Sequence, residues 1–108
     1  MNEQLTVTGT RHRYGTAEVY VEGGEPITAP SRESRNPTTI VPTTYYVEDE
    51  DDYGFRSIIT ASGHLVKKDG TVGARRIRVI PGNSAVPDAV WEALRTMRPD
   101  LKPRMTDA

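Results

Sequence analysis

Five cations flank one short stretch of this chain: Lys67, Lys68, Arg75, Arg76 and Arg78 surround an Asp69-Gly70 pair. Asp-Gly between extended segments is a strong hairpin signal, because a type I′ turn needs positive φ and glycine supplies it without steric cost. A two-stranded ribbon carrying such cations can enter a nucleic-acid groove or follow a line of phosphates. Arg56 and His64 lie close enough in sequence to extend the patch. The competing reading is that outward positions on an exposed sheet are charged in any case and guard an edge against aggregation.

A second constellation has the opposite sign. Tyr45, Tyr46 and Tyr53 bracket an acidic run, Glu48, Asp49, Glu50, Asp51 and Asp52. Such a run repels itself and must sit in solvent, while tyrosine is favoured in protein interfaces. Carboxylates set around aromatic rings can also imitate phosphates around bases and occupy a basic groove on another protein. A calcium loop fitted from Asp49 fails, since Tyr53 takes a ligand position and Thr60 stands where the bidentate glutamate belongs.

Enzymatic chemistry finds little to work with. The chain has no cysteine, which excludes disulfides, thiol nucleophiles and Cys-ligated metal centres. The histidines are His12 and His64, too few for a three-ligand zinc site without help from carboxylates. Ser62-Gly63-His64 brings a hydroxyl near an imidazole but lacks the G-x-S-x-G elbow and falls where a turn is expected. Gly70-Thr71-Val72-Gly73 is too short for a dinucleotide fingerprint, and no Walker A pattern occurs. No catalytic residue, metal or cofactor is assigned from the sequence.

At 108 residues the chain has the size of one domain. Its hydrophobic content is 35%, with a single Phe and a single Trp, so the core must be built largely from Val and Ile. These β-branched residues suit pleated sheets better than helices. Net charge is only −1, yet residues 1–55 hold four basic and ten acidic side chains and residues 56–108 hold ten basic and five acidic. The expectation is a dipolar molecule. The bias of Arg over Lys, with frequent Ala, Gly, Pro and Thr, is what GC-rich coding gives and points to a bacterium or one of its viruses. Residues 1–10 lack a signal-peptide pattern, and no apolar run reaches membrane-spanning length, so the cytoplasm is the expected location.

Alternating patterns predict strands over residues 4–8 and 16–22, the latter with Ala17, Val19 and Val21 inward. Residues 9–15 read as a turn. Residues 23–38 hold Gly, Pro, Ser, Glu and Arg with only Ile27 as a sizeable apolar group, and read as a long flexible loop. Residues 39–47 are rich in β-formers, but Pro42 demotes them to an edge strand or one with a bulge. Two short strands follow, 57–61 and 65–68, separated by Ser62-Gly63. A returning strand over 75–80 turns Ile77 and Val79 inward and Arg76 and Arg78 outward. A helix over 87–98 starts on Pro87-Asp88, aligns Val90, Trp91, Leu94 and Met97 in one stripe, and stops at Pro99, leaving a short tail at 99–108.

The fold expected is therefore mainly β (α+β): a small antiparallel sheet or open barrel of five to six strands with one C-terminal helix packed on it. The function expected is a non-enzymatic binding module that engages another protein through the Tyr/acidic segment and the long loop, with a homo-oligomer as one form such a partner could take. The alternative is a nucleic-acid binder using the hairpin at 64–78. A small hydrolase working through His12, His64 and carboxylates comes third, and no membrane contact is expected.

Overall fold

The computed structural model describes residues 5–13, 16–49 and 57–101. Six strands, β1 (Thr6–Arg13), β2 (Thr16–Glu22), β3 (Ile27–Pro30), β4 (Pro37–Asp49), β5 (Ser57–Val66) and β6 (Val72–Val79), are followed by a 3-10 turn (Asn83–Ala85) and a helix, α1 (Asp88–Met97). All pairings are antiparallel, in the order β1-β2-β4-β5-β6, with β3 also on β4. The expected sheet with one helix packed on it is the architecture observed. No described helix is long and apolar enough to cross a membrane.

The core lies between one face of the sheet and α1. Ala17, Val19 and Val21 of β2 face it as their alternation predicts, joined by Tyr45 and Val47 of β4, Ile59 and Ala61 of β5 and Val79 of β6. Val90, Trp91 and Leu94 close it from the helix, which packs over β1, β2 and β4. Pro87 immediately precedes α1, Asp88 complements the positive end of its dipole, and Arg95 sits in its last turn.

Three local expectations are corrected. Residues 9–13 are not a turn but the continuation of β1, paired from Gly9↔Tyr20 to Arg13↔Thr16. The segment at 23–38 contains a strand: Ile27 pairs with Ile40 and Pro30 with Pro37. Four residues give too weak a local pattern to reveal a pairing that β4 imposes. Of the two forms expected for the strand around Pro42, the bulged one is observed: β4 is central, and Pro42 is accommodated by a bulge between Pro42 and Thr44. The extra residue, Thr43, resets the alternation, so that Ile40 and Pro42 before it and Tyr45 and Val47 after it are all buried.

β5 runs unbroken through Ser62 and Gly63, and this is the third correction. A Cβ on Gly63 would stand 2.0 Å from the Val41 carbonyl oxygen and 2.7 Å from Pro42 Cα. Glycine is there because the bulged strand approaches its backbone, not because the chain turns. The hairpin predicted at Asp69-Gly70 is present, but among its residues only Gly70 has positive φ, at 89°. Gly70 N–H donates to Lys67 O and Lys67 N–H to Thr71 O. The turn is thus of the longer kind closed by a left-handed glycine, not type I′. Asp69 Oδ1 accepts from both the N–H and the hydroxyl of Thr71 and fixes the tip.

The sheet also curls. Ser31 bridges Val79, Arg32 N–H donates to Arg78 O and Ile80 N–H to Pro30 O. The chain leaving β3 therefore meets β6, and hydrogen bonding runs around β3, β4, β5 and β6 back to the start. This curl carries the turn at 31–36 across the sheet and brings it to the polar face.

Candidate functional site

On the sheet face turned away from α1, pairing aligns side chains in rows. Glu18, Tyr46 and Thr60 form one row, and Tyr20, Thr44, Ser62 and Arg78 the next. Tyr20 and Tyr46 are diagonal neighbours in this register, a separation that aromatic side chains can span. The Tyr20 hydroxyl donates to Glu18 Oε1 at 2.6 Å. That bond to a carboxylate, chiefly, raises the Tyr20 pKa, which keeps the hydroxyl protonated.

The turn at 31–36 supplies the rest of the site. Ser31 Oγ accepts from the N–H groups of Glu33 and Ser34, Ser31 O accepts from Arg35 N–H, and Arg35 takes positive φ, 66°. This places Arg32 over β4, where its guanidinium pairs with Glu48 Oε1 at 3.1 Å, and sets Glu33 against Arg78, whose Nε donates to Glu33 Oε2 at 3.0 Å. Burial is the main reason the Tyr46 pKa is raised, opposed by Arg78 and reinforced by Glu48. Thr60 beneath is fully buried, and its hydroxyl has no hydrogen-bond partner among the described residues.

The guanidinium of Arg78 holds the Glu33 carboxyl below the ordinary glutamate value of 4.5. A carboxyl depressed in the folded state contributes stability above its unfolded pKa and loses that contribution as pH falls through the folded one. An NMR titration of the side-chain carboxyl should therefore give a Glu33 midpoint below 4.5 that returns towards 4.5 in Arg78→Gln. An unchanged midpoint in that variant would mean that Arg78 is not its partner.

Several residues singled out from the sequence thus meet. Tyr46 and Glu48 share this face, and Arg78, assigned to the basic hairpin, belongs to the same patch. Tyr45 does not: it is wholly buried on the helix side, bordering a hollow of ≈ 570 Å³ with Ile27 and Val86. Adjacent strand residues point to opposite faces, so the two tyrosines cannot both serve one surface, and Tyr45 is withdrawn from it. Asp49 ends β4, and Glu50, Asp51, Asp52, Tyr53 and Arg56 lie outside the described residues.

The remaining cations separate from the patch. His64 sits opposite Arg76 across the β5–β6 pair, its Nδ1 buried without a hydrogen bond among the described residues. Arg76 donates to Thr43 Oγ1 at 2.8 Å and more weakly to Ser62 Oγ at 3.4 Å, so the Ser62 hydroxyl faces an arginine. Lys67, Lys68 and Arg75 are exposed. Among the described residues no group of three or more His, Asp or Glu is arranged to hold a metal ion. Arg32 and Glu33 went unnoticed in the sequence because nothing local ties them to Tyr46; only the curl does.

No protein-family model matches this chain, and neither a curated protein nor a solved structure shows significant similarity to it.

Proposed function

We propose that this protein is a small non-enzymatic binding module whose partner is another protein, engaged on the face built by Tyr20, Tyr46, Glu48, Arg78 and the turn at 31–36. One observation carries the reading: two ion pairs, Arg32 with Glu48 and Glu33 with Arg78, join the turn to β4, the strand bearing Tyr46, and to β6. Tyrosine and arginine are the residues enriched at protein interfaces, and groups already fixed by their neighbours lose less freedom on association. Because the patch neutralises its own charges, it presents aromatic and hydrogen-bonding groups without a strong field of either sign. That favours a protein surface over a polyanion here.

Site-specific photo-crosslinking tests the assignment. A benzophenone amino acid replacing Tyr20 or Tyr46 should give a discrete protein adduct in cells that make the chain. The same group at Glu92, exposed on the outer side of α1, should give none. Equal adducts from all three positions, or none from the tyrosine positions, would reject this face. An adduct of twice the chain's own mass would identify the partner as a second copy.

A further inference from the structure

Adjoining that face, we propose a second site, for single-stranded nucleic acid: a cleft of ≈ 400 Å³ between β6 and the turn at 31–36, where one nucleotide seats with its phosphate on Arg75 and Arg76, which line it, and on Lys67 beside it. Arg75, Arg76 and Ser34 all line this cleft. Consecutive residues of a regular strand would point apart. Here the β5–β6 register slips, three residues of β6 lying between Arg76 and Val72 against one of β5 between His64 and Val66, and both arginines reach one opening.

Lys67 converges on the same edge. A methyl group built on Gly73 would stand 3.0 Å from Lys67 Cε and 3.9 Å from its Nζ, so the lysine side chain lies across β6 two residues from Arg75. None of Lys67, Lys68, Arg75 or Arg76 has a carboxylate partner among the described residues, whereas Arg32, Arg78 and Arg98 all do. Glu33, the acid lining the cleft, is already taken by Arg78. Gathered cations repel one another, and an anionic ligand relieves that repulsion.

The shape selects the form of the ligand. A space of this size accepts one small-molecule-sized group, not the width of a duplex. Guanidinium planes can pair with phosphate and also stack on an unpaired base, and Lys68 at the hairpin tip extends the track for the next phosphate. Sequence preference is not expected, since the residues named address phosphate and ring faces.

Fluorescence anisotropy with a labelled single-stranded oligonucleotide and the duplex of the same sequence tests this on the full chain. The single strand should bind more tightly, with log K falling against log salt at a slope of roughly −1.4, about −0.7 for each of the two phosphates held, one on Lys67, Arg75 and Arg76 and the next on Lys68. Lys67→Glu/Arg75→Glu, which removes no described hydrogen bond, should weaken binding at least about tenfold and bring the slope towards about −0.7. Arg95→Glu on α1 should leave both unchanged. Circular dichroism melting of each variant confirms that it is folded. Absence of binding at low salt, tighter binding of the duplex, or a folded double variant that binds like the parent would each overturn the proposal.

Discussion

Gly63→Ala is expected to leave little folded protein. The added methyl group would stand 2.0 Å from the Val41 carbonyl oxygen and 2.7 Å from both Val41 C and Pro42 Cα, so every atom it meets is backbone. A flexible side chain could rotate away, but the bulge in β4 cannot retreat without parting from β5 along the longest pairing in the sheet. Overpacking a core with one methylene costs about 1–3 kcal/mol when side chains can adjust, and here they cannot. Several kcal/mol is a large share of the stability of a small domain. Thermal melting followed by circular dichroism measures it. A variant melting within a few degrees of the parent would show that β4 and β5 do not approach this closely. Gly9→Ala is the control, because its methyl would meet only the Tyr20 ring at 3.6 Å.

Trp91→Ala should cost about 3–5 kcal/mol. Trp91 is 8% exposed and sits on the helical stripe with Val90 and Leu94, and it is the one aromatic residue α1 carries. Removing it opens a void that valines and isoleucines, with few rotamers, cannot fill. For a domain of this size each kcal/mol moves Tm by about 4 °C or more, so a fall well above 10 °C is expected. The chain has one tryptophan, which allows an independent check: its emission should be that of a buried indole and shift to the red on unfolding. A red-shifted native spectrum, or an unchanged Tm, would place Trp91 on the surface and remove α1 from the core.

The elements that declared themselves in the sequence are those whose evidence is local. Val19 and Val21 alternate with Glu18 and Tyr20, Val90, Trp91 and Leu94 recur at helical spacing, and Asp69-Gly70 marks a turn whatever surrounds it. What stayed hidden depends on distant partners. Ile27 to Pro30 becomes a strand only because β4 lies beside it, and Gly63 sits mid-strand only because a bulge presses on it. The candidate site divides in the same way. Tyr46, Glu48 and Arg78 stood out by residue type. Tyr45 was grouped with Tyr46 because adjacent tyrosines look alike until the strand's alternation is fixed, and the bulge shifts that alternation. Arg32 and Glu33 sit in a stretch whose composition suggests flexibility, and their role comes from ion pairs to residues sixteen and forty-five positions away.

Thr43 does for β4 what an inserted letter does for a reading frame. Every residue after it is in a different phase from the residues before it: Ile40 and Tyr45 inward, Tyr46 and Glu48 outward. Deleting that one residue would return the strand to a single phase, with Pro42↔Gly63 and Thr44↔Ser62 as successive regular pairs and Tyr45 and Val47 still inward. Adding a second residue there would do the damage, because it would offer the core Tyr46 and Glu48 in place of Tyr45 and Val47. A natural variant of the chain that lacks one residue between positions 41 and 44 should therefore need no compensating insertion before position 47, whereas one that gains a residue there should.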